Sequence, residues 1–220
     1  MSDLFQLPEF IDSRGKLTFV EEVTHLPFQI RAVYLLAKED IPDKISLPSH
    51  AFLMAPVGNI TVNSDTILHG INNGILTKPA EDIYLDKSSD SLLLILSEKA
   101  ISHLTPLQIP FRARRAYFMT DIHKGKSRGN HAHLTTSQLI YSLLGAFEVE
   151  LDNGTAKKSV RLTSPDFPVE APIGVWHTLQ KFTSDAVCMV FASELFNPDD
   201  YISEYSEFLD TIKSSNLKND

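Results

Sequence analysis

The chain has 220 residues, 43% of them hydrophobic, and a formal net charge of −8 at pH 7. The apolar content suffices for one domain or two small ones, and the acidic balance argues against general nucleic-acid binding, which needs a basic face. The longest aliphatic run, residues 92–96, is too short to span a membrane. The first residues lack the basic and apolar segments of a signal peptide. We therefore expect a cytoplasmic protein with no nucleic-acid or membrane partner.

The first hundred residues form a series of short segments rich in β-branched and aromatic residues, separated by turns. Helical periodicity is nearly absent there. The expected strands cover residues 17–21, 27–36, 51–54, 59–62, 66–69 and 92–96. This half of the chain is predicted to be all-β.

The second half continues this pattern and then changes at Asn197. Further strands are expected at residues 114–120, 138–144, 147–151, 159–162, 175–182 and 187–192. Asn197 followed by Pro198 and two acids predicts the start of a helix, with asparagine as N-cap and proline in the first position. Its apolar stripe is expected to pack on a barrel. The stripe comprises Tyr201, Ile202, Tyr205, Phe208, Leu209 and Ile212.

Three blocks of the first half recur in the same order in the second half. The pairs are residues 26–36 with 109–119, 56–62 with 143–149, and 89–98 with 184–194. Ordered self-similarity predicts two duplicated domains, with bounds at 1–103 and 104–220. About ten residues separate the third block from Pro110, too few for a second copy of the leader at residues 10–22. The leader strand is therefore expected to complete the barrel of the second copy.

Two histidines separated by one residue, His131 and His133, form the most informative motif. Side chains two apart on a strand point to one face, and imidazole titrates near neutral pH or binds a metal. His177 follows a turn that enters another strand. We expect the three imidazoles to meet inside the second barrel. The first copy offers only residues 48–50 opposite the pair, so it is expected to have lost the site and to serve packing, pairing or regulation.

Six basic residues and a single acid lie between residues 112 and 128, a local net charge of about +5. Such a cluster suits an anion such as a diphosphate, and a solvated hairpin rim is the alternative. Cys188 is the only cysteine and lies in an apolar run, so we expect a buried hydrophobe rather than a nucleophile.

The histidine spacing resembles the cupin signature. Its two motifs are matched by Gly125, His131, His133, Gly145, Pro172, Gly174 and His177. Gln138 stands where metal-binding cupins carry glutamate, and a neutral amide removes the anionic ligand that hard divalent ions favour. No metal and no other cofactor is therefore expected. A metal-dependent cupin enzyme, with the three histidines as ligands, remains an alternative.

The second half resembles more closely the sugar 3,4-ketoisomerases that act on dTDP-4-keto-6-deoxyglucose, the WxcM-like cupin family. The resemblance covers about residues 107–212 and is carried by residues 114–117, 128–133, 138, 151–154, 172–177 and 199–202. Together with the internal repeat, it implies an all-β fold of duplicated cupin-like, jelly-roll β-barrels with a C-terminal α-helix. Family members are usually single-cupin chains that form dimers. We therefore expect the two repeats to act as an internal pseudo-dimer, and a homodimer of the whole chain is a further alternative.

The resemblance also implies the reaction: an isomerase of deoxysugar biosynthesis moves the keto group of a dTDP-linked sugar from C4 to C3 through an enediol. It implies His131 as the base that removes the C3 proton. His133 and Tyr117 would handle protons on the two oxygens and stabilise enolate charge. A cupin that binds a nucleotide sugar without catalysis remains the other alternative.

The same resemblance implies the substrate-binding residues. Arg128 and one of Arg114 or Arg115 would hold the diphosphate, because guanidinium groups match phosphate geometry. His177 and Gln138 would complete the pocket.

Overall fold

The structure is a computed structural model, and it describes residues 3–88 and 90–216. Residue 89, at the edge of a repeated block, and residues 217–220 of the second predicted domain lie outside the described residues. The first eleven strands are β1 (Asp3–Gln6), β2 (Glu9–Asp12), β3 (Gly15–Glu21), β4 (Ala32–Ala37), β5 (Lys44–Leu47), β6 (Ala51–Val57), β7 (Asn59–Val62), β8 (Thr66–His69), β9 (Asn73–Leu76), β10 (Glu81–Lys87) and β11 (Leu92–Ser97).

The second half adds nine strands and the helix α1. They are β12 (Arg115–Thr120), β13 (Arg128–His133), β14 (Gln138–Leu144), β15 (Phe147–Asp152), β16 (Lys157–Leu162), β17 (Val169–Ala171), β18 (Trp176–Gln180), β19 (Val187–Ala192), β20 (Tyr201–Ile202) and α1 (Tyr205–Asn216). Short 3-10 turns lie at Lys38–Asp40 and Pro198–Asp200. The prediction of a largely β fold with a C-terminal helix is confirmed. Among the described residues, no helix has the length and hydropathy needed to cross a bilayer.

The chain divides into two compact units. The first holds Met1–Glu9 with Thr18–Arg114, and the second holds Phe10–Leu17 with Arg115–Asp220. In the first unit the sheets have the orders β1-β9-β6-β11-β4 and β5-β10-β7-β8. In the second they have the orders β17-β14-β19-β12, followed by the parts of β3 and β2 that belong to this unit, residues 15–17 and 10–12, and β16-β15-β18-β13-β20. The strand order β9-β6-β11-β4 thus recurs as β17-β14-β19-β12, and β5-β10-β7-β8 as β13-β18-β15-β16. The sequence repeat is a repeat of topology.

The leader belongs to the second unit through residues 10–17. In sheet order β3 lies beside β12, and β2 forms the edge. Lys16 forms an ion pair with Asp121, and the amide of His123 donates to the carbonyl of Arg14. These contacts attach the leader hairpin to the loop that precedes β13.

The interiors of the two units differ in chemistry. The first contains a continuous cluster of buried hydrophobic side chains, in which Ile45 on β5 lies opposite Ile83 on β10. The corresponding strands of the second unit, β13 and β18, carry His131 opposite His177. The register therefore places Ile45, rather than residues 48–50, at the position of the histidine motif. Aliphatic side chains fill the space that the second unit keeps polar.

The predicted helix start at Asn197 is wrong. Asn197 does accept a hydrogen bond from the backbone of Asp199, but it caps only one 3-10 turn. The next two residues, Tyr201 and Ile202, pair with β13, and α1 begins at Tyr205. Pairing with β13 outweighs the helix signal because it turns the side chain of Asp200 into the interior, where its carboxylate forms four hydrogen bonds. Helix α1 still packs through Phe208, in a cluster with Ala132, Trp176 and Ile202.

Candidate active site

Three imidazoles meet in the second unit, as the sequence motif predicted. His131 and His133 come from β13 and His177 from the neighbouring β18, where it lies opposite His131. The Nε2 atoms of His131 and His133 are 3.1 Å apart, and one ring nitrogen from each of the three histidines lies within 4.8 Å of the others. His133 and His177 are buried, and His131 is the more accessible ring.

A bulge in β13 brings Arg128 to the same face as His131. Residues three apart on a regular strand face opposite sides, but the register shifts between Gly129 and His131 and so restores the same side. Gly129 has a φ of +74°, and a Cβ there would lie 2.7 Å from the carbonyl oxygen of His177. Only glycine allows the two strands to approach this closely. Arg128 pairs opposite Leu179, an interior residue, which places the guanidinium with the histidines.

Asp200 contacts Nδ1 of His133, the ring nitrogen that does not face His131. Its carboxylate lies 2.7 Å from His133 Nδ1 and accepts hydrogen bonds from the backbone amide and hydroxyl of Thr135 and from the hydroxyl of Thr136, each at 2.6 Å. Burial alone would raise the pKa of Asp200, but these hydrogen bonds outweigh it and keep the pKa below its usual value. An ionised carboxylate only accepts, so His133 carries its proton on Nδ1 and directs Nε2 towards His131.

All three imidazoles are neutral near pH 7. Burial, followed by the neighbouring His133, lowers the pKa of His131 to about 4. Burial likewise lowers the pKa of His133, against the opposing effect of Asp200, and it lowers that of His177 further. Neutral imidazoles offer lone pairs that can accept a proton.

Two further predicted residues project into the same interior. The Gln138 side chain, on β14, is 1% exposed and places Nε2 2.7 Å from His133 Nε2. Its Oε1 has no hydrogen-bond partner among the described residues. Tyr117 on β12 packs on the apolar cluster of this unit, and burial raises the pKa of its hydroxyl. The phenol therefore stays protonated at neutral pH and can act as a donor.

The arginines separate into two groups. Arg115 is buried, with its guanidinium 5.5 Å from the Tyr117 ring and 5.7 Å from the Phe196 ring. Arg128 is also buried; its Nη1 lies 3.4 Å from Asp12 of the leader, while Nε and Nη2 have no partner among the described residues. The two remaining nitrogens suit an anionic ligand.

Arg114, the alternative diphosphate ligand, is placed elsewhere. It belongs to the first unit, where its Nε donates to the buried carboxylate of Glu22 at 2.8 Å. Arg112 binds the same carboxylate. Part of the basic cluster is therefore neutralised within the first unit, and Arg115 and Arg128 are the guanidiniums that share the second unit with the histidines.

Sequence reasoning missed Asp200 as a site residue. Its motif contributed to the family resemblance, but its position two residues after Pro198 indicated the first turn of a helix. The hydroxyls of Thr135 and Thr136, which follow the histidine pair closely, were the available signal, because such hydroxyls beside a buried histidine need an acceptor. Asp12, which reaches Arg128 across 116 positions of sequence, had no local signal.

The donor set fits a metal ion only in part. Three neutral imidazoles suit a borderline ion such as Zn²⁺, and their nitrogens are close enough to share one. The fourth side chain, Gln138, supplies an uncharged amide where hard divalent ions favour a carboxylate. These four side chains therefore lack an anionic ligand.

Fold and site together define a class of protein: a double-sheet β-barrel of the cupin type whose interior holds a cluster of three histidines. The sequence pattern of the family "FdtA: WxcM-like, C-terminal" matches residues 1–104 and again residues 97–213. The chain belongs to this family, and both of its repeats carry the family pattern.

The chain is also similar to individual proteins. The chain is 36% identical over 110 residues to the TDP-4-oxo-6-deoxy-alpha-D-glucose-3,4-oxoisomerase of Aneurinibacillus thermoaerophilus, a match that covers half of this chain and 79% of the relative. Among solved structures it is similar to QdtA, a sugar 3,4-ketoisomerase from Thermoanaerobacterium thermosaccharolyticum in complex with TDP, with 32% identity, a TM-score of 0.49, and 51% and 85% of the two chains covered. WlaRA, a TDP-fucose-3,4-ketoisomerase from Campylobacter jejuni, has 20% identity, a TM-score of 0.47, and 51% and 87% coverage.

Proposed function

We propose that this chain is a 3,4-ketoisomerase of a TDP-linked 4-keto-6-deoxy sugar, and that the second unit carries the chemistry. The observation that supports this most is the imidazole cluster: neutral His131 faces His133, which Asp200 orients. The activity of the curated relative, named for TDP-4-oxo-6-deoxy-alpha-D-glucose, supplies the substrate class.

The reaction moves protons at two carbons and two oxygens and causes no net change in atoms. The C4 ketone acidifies the hydrogen on C3, so a neutral imidazole can remove it while the electron pair forms a C3–C4 double bond and the C4 oxygen gains a proton. The resulting enediol then loses the proton of its C3 oxygen, and C4 takes up a proton. The carbonyl ends at C3 and a hydroxyl at C4.

The roles follow from accessibility and hydrogen bonding. His131 is the more exposed of the three rings, so we assign it the exchange of protons with C3 and C4. His133, fixed by Asp200, receives or returns a proton across the 3.1 Å separation. Tyr117, whose hydroxyl is protonated at neutral pH, donates a hydrogen bond to the substrate oxygens and so stabilises enolate charge.

Two buried guanidiniums of the second unit are the proposed ligands of the diphosphate. Arg128 presents Nε and Nη2 to the interior, and Arg115 lies beside Tyr117. A guanidinium binds phosphate oxygens in bidentate fashion. His177 and Gln138 form the remaining polar wall of the pocket. The cytoplasmic location and the pseudo-dimeric pairing stay predictions.

The test is conversion of TDP-4-keto-6-deoxyglucose by the purified full chain, followed by NMR of the product. A carbonyl at C3 supports the proposal, and an unchanged substrate overturns it. His131→Asn should lower kcat by about 10²–10⁴-fold, the usual contribution of general acid–base groups. His123→Asn, at an exposed position, is the matched control and should keep wild-type activity. A protein that binds the sugar tightly yet converts none of it would be the binding module instead.

A further inference from the structure

We propose that Gln138 commits this histidine cluster to proton transfer, and that a carboxylate in its place would convert the cluster into a metal site that no longer isomerises. The expected loss of isomerisation rests on the proposed function. The expected gain in metal affinity depends on the geometry of the site alone.

Gln138 occupies the place of a fourth ligand. Its terminal amide lies 2.7 Å from His133 Nε2, whose other neighbour is His131 Nε2 at 3.1 Å. In a tetrahedral zinc site with Zn–N distances of ~2.0–2.1 Å, neighbouring ligand atoms are separated by about 3.3 Å. The 3.1 Å between His131 and His133 is already near that value, and a ring nitrogen of His177 lies within 4.8 Å of theirs, so this ring would have to move closer to share an ion.

The amide group matches what a proton-transferring imidazole needs. Its NH₂ donates to the Nε2 lone pair of neutral His133, and its oxygen can accept from a protonated Nε2 after a half-turn of the amide. Oε1 is buried and has no partner among the described residues, so the opposite orientation breaks no other hydrogen bond. Both states of His133 are thereby accommodated.

A carboxylate would behave differently at the same position. It can only accept, and it carries a charge in a buried site, where an unpaired charge is strongly unfavourable. A cation bound between the carboxylate and the three imidazoles removes that penalty. Three histidines and one carboxylate form a donor set that first-row divalent ions favour, whereas the present set of histidines and one amide lacks the charge.

The experiment compares wild-type protein with Gln138→Glu by titration with Co²⁺, read from its visible absorption, and by turnover in the presence of a chelator. We expect Gln138→Glu to bind Co²⁺ at least about 100-fold more tightly than wild type, since changes outside the direct ligands already alter metal affinity ~10–100-fold. Its kcat should fall at least about 100-fold, the scale of lost acid–base assistance.

Two further variants separate charge from shape. Gln138→Leu removes the hydrogen bond without adding charge; it should gain no affinity for Co²⁺ and lose about tenfold in kcat, the value of one buried hydrogen bond. Gln108→Glu, at an exposed position, should change neither quantity. Circular dichroism checks folding, and Gln138→Asp replaces Gln138→Glu if the latter does not fold.

The possible outcomes are distinct. Equal Co²⁺ affinity in wild type and the carboxylate variant, or full kcat in Gln138→Leu, overturns the inference. A wild-type protein that converts no substrate overturns the proposed function, and the Co²⁺ comparison still decides whether Gln138 excludes metal.

Discussion

Asp200→Asn is the sharpest perturbation of the site, because it preserves shape and changes only hydrogen bonding. The native carboxylate accepts from His133, Thr135 and Thr136 with a side chain only 3% exposed. An asparagine oxygen can keep the two hydrogen bonds of Thr135. The amide NH₂ then faces His133 Nδ1 and the Thr136 hydroxyl, both of which are donors in the native protein.

The cost follows from those two contacts. The Thr136 hydroxyl can rotate and accept, so one buried donor remains unsatisfied, at about 1–3 kcal/mol of unfolding free energy. His133 can avoid this cost by moving its proton to Nε2, but its lone pair then points away from His131. The change of tautomer removes a proton acceptor from the relay, and the unsatisfied donor removes the contact that orients His133, so kcat should fall by about 10²–10⁴-fold. KM should change little because Asp200 acts through His133.

The assay combines steady-state kinetics on the TDP-linked keto sugar with ¹⁵N NMR of the His133 ring, which reports the position of the proton. Asp199→Asn is the matched control: it makes the same chemical change one residue earlier at an exposed position and should leave both readouts unchanged. If Asp200→Asn retained wild-type kcat with the native ring tautomer, the role given to this carboxylate would be refuted.

Three other predictions follow. First, the pKa of His131 is about 4 in the folded chain against an ordinary value of 6.5, so between those values only the unfolded chain binds that proton. The contribution of His131 to the free energy of unfolding should therefore fall by about 2 kcal/mol from pH 7 to pH 5. Urea titration of wild type and His131→Asn measures this contribution as the difference between their slopes, and equal slopes would contradict it. Second, Arg128→Gln should raise KM by about 10–100-fold through loss of a charge-assisted contact with a smaller change in kcat; exposed Arg161→Gln is the control, and an unchanged KM would exclude Arg128 from binding. Third, Gly129→Ala should lower the free energy of unfolding by about 2 kcal/mol more than Gly125→Ala. Both glycines have positive φ, but only a Cβ at Gly129 would meet a neighbouring carbonyl oxygen. Equal melting temperatures of the two variants would disprove the role of the close approach between β13 and β18.

The sequence predicted the repeated β architecture well, for reasons visible in particular strands. The segments at residues 59–62, 66–69, 138–144 and 187–192 match β7, β8, β14 and β19 to the residue, because short apolar runs bounded by turns have few other solutions. Edge strands such as β2, whose side chains are all exposed, carry no hydrophobic alternation and were missed.

The site was predictable only where it follows the period of a strand. His131 and His133 share a face because they are two apart. Arg128 shares that face only through the bulge at Gly129, a device set by contact with β18. Asp200 was assigned to a helix because capping signals are local and cannot show that Tyr201 and Ile202 will pair with another strand, β13. Tertiary pairing outweighs local propensity at both points.

The central claim is that these imidazoles transfer protons between C3 and C4 without help from a metal ion. The most direct measurement is incubation of chelator-treated, metal-analysed protein with TDP-4-keto-6-deoxyglucose in deuterated water, observed by NMR. We predict deuterium at C4 together with a carbonyl at C3, at a rate that added divalent ions do not increase. Conversion that begins only when a metal is restored, or no exchange at either carbon, would contradict the account.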